Sequence, residues 1–168
     1  MVCKEGIVTG IREISSLCIR VARDFPGIAK RAADAPGSIL ILGAPGWGKT
    51  TLLRDLIRQI GEKQCVSVVD ERGELFPEGL ERGKKTDILT GCPKSPGIAV
   101  DEITAEADAR ALLRAANCGV RLLATAHGTS AADFRRRSVY RPLAESGVFQ
   151  TLLILRQDKS FRAERAAL

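Results

Sequence analysis

The segment Gly43-Ala44-Pro45-Gly46-Trp47-Gly48-Lys49-Thr50 matches the phosphate-binding pattern GxxxxGK[ST] in full. Its glycines let the backbone curl so that successive N–H groups face phosphate oxygens, and the following helix N-terminus adds positive potential. Lys49 has the length to reach the β- and γ-phosphates, and the Thr50 hydroxyl suits a Mg²⁺ ligand. Residues 43–51 are therefore the candidate contacts to a nucleoside triphosphate, the last of them being Thr51. The alternative is a chance glycine-rich turn between a strand and a helix.

Trp47 is the only tryptophan of the chain and occupies a variable position of this loop. Its ring has the size to cover the phosphates or a purine base. It has the same capacity to pack against a neighbouring element, and both interpretations stay open. ATP is the preferred nucleotide because the sequence contains no base-specific motif for guanine.

Two adjacent acids, Asp101 and Glu102, follow the short apolar run Ile98-Ala99-Val100. Asp101 fits the carboxylate that holds Mg²⁺ through water at the end of a strand. Glu102 suits the residue that polarises the water attacking the γ-phosphate. With a phosphate loop present, the pair predicts hydrolysis; the alternative is an acidic cluster at a helix N-terminus.

A second acidic group, Asp70, Glu71 and Glu74, lies at another predicted strand end. These side chains have the chemistry to support Mg²⁺ or to position water, and we include Glu71 among the candidate catalytic residues. The alternative is a polar loop held by Arg72.

His127 is the only histidine and comes after the predicted strand 120–125. If the phosphate-loop strand is central, that strand lies between it and the strand that carries Asp101. Thr125 or His127 would then sense the γ-phosphate, so we include His127 with Lys49, Glu102 and Glu71 as candidate catalytic residues. A lone histidine is otherwise more often structural.

Strand and helix patterns alternate from residue 37 onward. Predicted strands cover 38–42, 65–69, 98–100, 120–125 and 149–155, with predicted helices at 52–60 and 106–116 and a possible return hairpin at 159–163. Residues 72–97, rich in glycine, proline and charge, are predicted to be irregular, and Ser130 with Asp133 resembles a helix N-cap. This alternation predicts an α/β fold with a mainly parallel sheet covered on both faces. Leu17, Ile19 and Val21 predict one earlier strand.

The composition indicates one ordinary domain. The chain has 168 residues, 45% of them hydrophobic, a net charge of +6 and a pI of about 9.3. No apolar run reaches the roughly 18–20 residues of a membrane span, and no signal peptide is evident, so a cytoplasmic location is expected. Five scattered cysteines without a CxxC pair predict reduced, mostly buried thiols. The positive charge favours anionic partners without choosing between phosphates, nucleic acid and a membrane surface.

With these residues in view, the chain resembles the stage III sporulation protein AA family, RecA-like ATPases similar to type II and type IV secretion ATPases. The resemblance lies in Gly10-Ile11-Arg12, the loop continuing through Asp55, Val69-Asp70-Glu71-Arg72 and Thr86 to Leu89. It continues in Gly91-Cys92-Pro93-Lys94, Val100 to Ile103, and Ala124-Thr125-Ala126-His127-Gly128. The ordered series, above all the Gly-Cys-Pro-Lys segment, is more specific than the phosphate loop alone.

The resemblance implies a RecA-like ATPase domain at 37–168, with 1–36 as the remnant of an N-terminal domain and linker. It implies a homohexameric ring, peripheral to the membrane on the mother-cell side, that energises a channel between mother cell and forespore. An acidic box (Asp70-Glu71) and a histidine box (His127) would flank the site. Arginines of a neighbouring copy would complete it, the candidates being Arg20, Arg23, Arg72 and Arg135.

One departure from the family is a shortened segment before Asp101. A parallel crossover usually requires a helix. The segment that is left there, interrupted by Pro93, Pro96 and Gly97, is a poor helix former. The strand 98–100 is correspondingly thin, which puts the catalytic role of Asp101 in question.

Two other functions are compatible with the same residues. RecA-like cores also drive translocases, so a nucleic-acid-dependent ATPase fits the basic charge. Aromatic residues, however, make up only 4% of the chain and are not interleaved with the basic ones. A nucleotide-gated ring scaffold without turnover is the third possibility.

Overall fold

A computed structural model of the chain describes residues 2–4, 7–10, 23–70, 73–77, 79–88 and 97–166. The strand predicted at Leu17–Val21 lies outside the described residues, as do Glu71, Arg72 and Arg20. Two short strands, β1 (Val2–Lys4) and β2 (Ile7–Gly10), pair as an antiparallel hairpin near the N-terminus. Among the described helices, none is long and apolar enough to cross a membrane.

The main sheet has seven strands. In chain order they are β3 (Ile39–Gly43), β4 (Val66–Val69), β5 (Thr86–Ile88), β6 (Gly97–Val100), β7 (Arg121–His127), β8 (Thr151–Leu155) and β9 (Phe161–Arg165). Their order across the sheet is β5-β4-β6-β7-β3-β8-β9. All neighbours are parallel except β8 and β9, which form an antiparallel hairpin. The carboxyl ends of the parallel strands therefore meet at one edge, where ligands bind in open α/β sheets.

Helices cover both faces of the sheet. They are α1 (Lys30–Ala33), α2 (Lys49–Gly61), α3 (Glu106–Asn117), α4 (Ala131–Arg136) and α5 (Arg141–Glu145), with a 3₁₀ turn at Ser138–Tyr140. The strand β3 is buried on both sides: Ile39 and Ile41 face the core under α2, whereas Leu40 and Leu42 face the core under α3, α4 and α5. Such a doubly buried strand explains its uninterrupted apolar sequence. The predicted mainly parallel α/β sheet with two covered faces is confirmed.

The predicted elements agree with the structure within a few residues at their ends. The strand 120–125 lies between the phosphate-loop strand and the strand before Asp101, as the sequence predicts. Ser130 caps α4 by accepting a hydrogen bond from the Asp133 N–H at 3.1 Å. The hairpin after β8 is also present, shifted to Phe161–Arg165.

The prediction that residues 72–97 are wholly irregular is wrong, because they contain β5 at the sheet edge. The Lys85 N–H donates to the Gly61 carbonyl at 2.8 Å, and the Val66 N–H donates to the Lys85 carbonyl at 3.0 Å. Gly61 and Gly83 allow this approach, since a Cβ on Gly61 would lie 2.2 Å from Thr86 Oγ1. The strand thus depends on long-range contacts rather than on a local apolar pattern.

The short strand β6 pairs with a neighbouring strand on each side. Ile98 pairs with Ser67 of β4 and with Leu122 of β7, both in parallel register. Pairing with a parallel neighbour on each side fixes the direction in which the chain leaves at Val100. The strand therefore presents Asp101 at the ligand-binding edge despite its length.

The prediction of mostly buried cysteines is wrong for the two whose side chains are described. Cys65 and Cys118 are unpaired, as predicted, but exposed. Both lie at element ends: Cys65 precedes β4, and Cys118 follows α3. At such positions a small side chain reaches solvent whatever its polarity.

Candidate nucleotide-binding site

The phosphate loop connects the carboxyl end of β3 to the N-terminus of α2. Gly46 and Gly48 have φ values of 75° and 98°, in the left-handed region that glycine adopts without steric cost. The Trp47 N–H closes a turn onto the Ala44 carbonyl at 3.2 Å. Residues 43–50 thus take the strand–loop–helix arrangement that directs backbone N–H groups at a phosphate.

Lys49 opens α2 and points into the site. Its side chain is buried, and Nζ lies 3.3 Å from the Ala44 carbonyl oxygen and 3.2 Å from His127 Nδ1. Burial lowers the pKa of the Lys49 ammonium, against the opposing effect of the nearby Glu102 and Asp101 carboxylates. An anionic phosphate would therefore stabilise the charged form of Lys49.

Asp101 follows β6 and connects the end of this strand to the phosphate loop by a hydrogen bond. The Thr50 hydroxyl donates to Asp101 Oδ2 at 2.9 Å, and the Thr125 hydroxyl donates to Oδ1 at 2.8 Å. Thr125 Oγ1 also accepts from the Glu102 N–H at 2.8 Å, so one buried hydroxyl fixes both acids. Burial raises the pKa of Asp101, and the two hydroxyl hydrogen bonds oppose that rise. Thr50 and Asp101 together offer hard oxygen ligands of the kind Mg²⁺ prefers.

Glu102 and His127 form the next part of the site. Glu102 has a φ of 62°, a strained value for a side-chain-bearing residue that often occurs at functional sites. Its Oε1 is in short contact with His127 Nε2. Because the Lys49 ammonium has only donors, His127 Nδ1 accepts from it, which leaves Nε2–H to donate to Glu102. A chain of contacts thus runs from Lys49 through His127 to Glu102.

The residues of the second acidic group, Asp70, Glu71 and Glu74, do not share one role. The Asp70 carboxylate accepts hydrogen bonds from the N–H groups of Glu74, Leu75 and Phe76 at 2.9–3.4 Å. Asp70 therefore shapes the loop after β4. It also lines, with Glu74, Asp101 and Glu102, a cavity of about 320 Å³ whose described lining includes no residue of the phosphate loop. Glu71 lies outside the described residues, and its catalytic role stays a prediction.

Trp47 and Thr51 border a larger cavity. Trp47 is partly buried and packs against the core under α2. The same ring lines a cavity of about 720 Å³ beside the phosphate loop, as Thr51 does. Packing on a neighbour and facing a ligand, the two interpretations of this tryptophan, are both compatible with this position.

Three further residues contribute to the site, and two of them, Tyr140 and Lys159, are not evident in the sequence. Thr125, considered above as a phosphate sensor, acts in this structure as the bridge to Asp101. The Tyr140 hydroxyl lies 3.3 Å from the His127 N–H and donates to the Ile103 carbonyl at 3.2 Å. Lys159, from the turn between β8 and β9, donates to the Gly46 carbonyl. Only the position of Thr125 two residues before His127 offered a signal, because the other contacts depend on tertiary folding.

Comparison with known proteins places the chain among relatives. The family model described as "Sporulation stage III, protein AA" matches residues 1–164. Stage III sporulation protein AA of Bacillus subtilis strain 168 is 35% identical over an alignment covering 95% of this chain. The chain spans 61% of that protein's length.

Solved structures with the same fold include two bacterial ATPases. The VirB11 ATPase of the Brucella suis type IV secretion system is 20% identical with a TM-score of 0.54, covering 74% of this chain and 46% of that one. The Legionella pneumophila ATPase DotB is 23% identical with a TM-score of 0.56, covering 84% of this chain and 48% of that one. These likenesses show a RecA-like P-loop fold, and the family match shows that the chain belongs to the sporulation stage III protein AA family.

Proposed function

We propose that this chain binds ATP with Mg²⁺ and hydrolyses it as the motor domain of a sporulation-associated transport machine. The observation that carries the proposal is the convergence of Lys49, Thr50, Asp101 and Glu102 at one edge of the sheet, with Thr50 and Asp101 in direct contact. These are the groups that in-line transfer of a γ-phosphoryl group to water requires.

Each group has a distinct task in the proposed reaction. The backbone N–H groups that the phosphate loop offers and the Lys49 ammonium bind the β- and γ-phosphates and fix the γ-phosphorus for in-line attack. Thr50 and Asp101 would hold Mg²⁺, which supplies charge neutralisation on the phosphates. Glu102 orients the attacking water and accepts its proton.

The contacts of Lys49 imply that nucleotide changes the state of Glu102. A γ-phosphate offers Lys49 an anionic acceptor that is stronger than the Ala44 carbonyl or His127 Nδ1. His127 is then released from Lys49, and its ring is able to turn toward the phosphate. Because His127 also contacts Glu102, this movement changes the contacts of the Glu102 carboxylate when ATP is present.

The proposed ATP hydrolysis is tested by measuring phosphate release together with the molecular mass of the protein in solution. The chain is expected to release phosphate from ATP in a Mg²⁺-dependent manner, with the activity appearing in the assembled species. Negligible release under conditions where multimers form would contradict hydrolysis and favour the scaffold. Strong stimulation by DNA or RNA, with steep salt dependence of binding, would instead favour a nucleic-acid-dependent ATPase.

We extend the proposal to a homohexameric ring docked at the cytoplasmic face of the membrane, on channel proteins of a sporulation complex. Support comes from the family and from the secretion-ATPase fold. The net charge of +6 is compatible with docking at an anionic membrane surface. Arg20, Arg23, Arg72 and Arg135 remain the candidates for completing a neighbour's site; Arg23 also lines the large cavity of its own copy.

Arg135→Ala is expected to reduce hydrolysis by roughly tenfold or more while leaving ATP affinity within a factor of two, because a trans-acting arginine stabilises transition-state charge. Arg135 is exposed on α4, close in sequence to His127. Turnover and equilibrium ATP binding are measured on the same preparation. Arg110→Ala on the exposed face of α3 is the control, and unchanged turnover of Arg135→Ala would dismiss this arginine.

A further inference from the structure

A large cavity beside the phosphate loop has an apolar wall supplied by the segment before α1. The cavity measures about 720 Å³, within the roughly 300–1,000 Å³ typical of small-molecule sites. Phe25 and Ile28 line it and are 49% and 42% exposed, the large apolar side chains most open to solvent among the described residues. Exposed apolar side chains that face a concave site indicate a ligand that covers them.

We propose that Phe25 and Ile28 bind the base of the nucleotide and that Asp55 is the positioning residue that holds them in place. This inference rests on the proposed function, because it requires a nucleotide on the phosphate loop. It adds the part of the protein that recognises the nucleoside.

The position of the cavity fits the nucleoside end of a bound nucleotide. Gly46, Gly48 and Thr51 form its border with the phosphate loop. A nucleoside attached to phosphates at the N-terminus of α2 leaves the loop across these residues. The aromatic rings of Trp47 and Phe161 line the cavity as well, so that a planar base has several apolar surfaces to stack on.

The chemistry of the walls favours adenine over guanine. The side chains that line the cavity are apolar, basic or hydroxylic; carboxylate and carboxamide groups do not occur among the described lining residues. Guanine carries more donor N–H groups on its pairing edge than adenine, and among the described lining residues only the Thr51 and Ser160 hydroxyls offer side-chain acceptors. Unpaired buried donors cost binding energy, so the cavity discriminates against guanine.

Asp55 holds in place the segment that supplies the apolar wall of the cavity. It lies on α2, is fully buried and does not line the cavity. Its Oδ1 accepts from the Gly27 N–H at 3.0 Å, and its Oδ2 accepts from the Ala29 N–H at 2.7 Å. These two bonds bracket Ile28 and hold it at the edge of the cavity.

Two arginines complete this attachment. Arg58 donates to Asp55 and, at 2.6 Å, to Asp24 Oδ2, on the residue before Phe25. Arg54, also buried, donates to the Arg23 carbonyl at 3.0 Å. The segment 23–29 is therefore fastened to the helix that begins at Lys49, and base wall and phosphate loop form one unit.

The test compares the affinities of the full chain for Mg-ATP, Mg-GTP and Mg-tripolyphosphate by equilibrium titration. Phe25→Ala is expected to weaken ATP binding by roughly tenfold, in line with the loss of one base–aromatic contact. Ile28→Ala is expected to weaken it less, and Asp55→Asn by a similar factor to Phe25→Ala. Tripolyphosphate affinity should remain at the wild-type value in all three variants, because it has no base.

Asp34→Asn is the control for the charge change, since Asp34 is exposed and pairs with Lys63 at the surface. If Asp55→Asn does not fold, Phe25→Ala and Ile28→Ala carry the test, because their side chains are exposed. Unchanged ATP affinity in these two variants would overturn the inference, as would equal losses for ATP and tripolyphosphate. Equal wild-type affinities for ATP and GTP would overturn the adenine preference. A wild-type chain that binds none of the ligands would overturn the proposed function itself.

Discussion

Glu102→Gln is expected to lower ATP hydrolysis by about 100-fold or more while ATP binding is retained, because the amide cannot accept the proton of the attacking water. Glutamine has the same size and keeps the backbone at its φ of 62°, so the fold of the site is preserved. It also retains an oxygen that accepts from His127 Nε2. The variant therefore separates proton transfer from the assembly of the site, and single-turnover phosphate release measures the difference.

Glu106→Gln is the matched control for this variant. Glu106 is exposed in the first turn of α3 and pairs with Arg110 at 2.9 Å on the surface. Its removal should leave turnover and ATP affinity unchanged. If Glu102→Gln hydrolyses ATP at the wild-type rate, another acid orients the water, and Glu71 or Glu74 of the second acidic group becomes the candidate.

The phosphate loop was predictable because it follows from local pattern, and the place of β7 was predictable once the phosphate-loop strand was taken as central. GxxxxGK[ST] needs only a strand before it and a helix after it, and the apolar runs supply both. The place of the β7 strand beside β3 follows from the parallel α/β pattern together with the RecA resemblance. Asp101, Glu102 and His127 then reach the same edge because each follows a parallel strand.

The pairings inside the site were not predictable, because they depend on side-chain contacts between distant segments. Thr50 meets Asp101 across 51 residues of sequence, and Lys49 meets His127 across 78. A one-residue change in strand register would break either contact without altering any motif. The sequence identifies the residues of the site, whereas the register of the strands determines which of their side chains are in contact.

Asp55 shows a second limit of sequence interpretation. It stands in an amphipathic helix among apolar residues, where a charge normally marks the solvent face. In the structure it is fully buried, and the N–H groups of Gly27 and Ala29 in the segment 23–29 donate to it. A buried carboxylate is tolerated only with such partners, and these lie outside any local window of sequence.

Asp101→Asn is expected to abolish Mg²⁺-dependent hydrolysis and yet to stabilise the nucleotide-free protein. Loss of the carboxylate should cost at least about 100-fold in turnover, because the metal is worth several kcal/mol and about 1.4 kcal/mol corresponds to a factor of ten. Stability should rise because burial raises the pKa of Asp101, which means that the fold disfavours its charge. Each kcal/mol recovered increases the Tm by about 2–4 °C in a chain of this size.

The pH dependence of this gain distinguishes a buried-charge effect from altered packing. A carboxyl whose folded pKa is raised stabilises the fold below its unfolded pKa of about 3.9 and loses that contribution as the pH rises through the folded pKa. The Tm difference between Asp101→Asn and wild type should therefore be absent in acid and grow as the pH rises. The measurement is thermal unfolding across pH with a metal chelator and no nucleotide.

Asp108→Asn provides the control of opposite sign. Partial burial acts to raise the pKa of Asp108, but hydrogen bonds from the N–H groups of Thr104 and Ala105, at 2.9 and 2.8 Å, outweigh it and the pKa is lowered. Its charge therefore stabilises the fold above the unfolded pKa and loses that effect as the pH falls through the folded pKa. Asp108→Asn should lower the Tm at neutral pH. If Asp101→Asn lowered it as well, the buried charge of Asp101 would not be a cost to the fold, and the electrostatic account of Asp101 would be wrong.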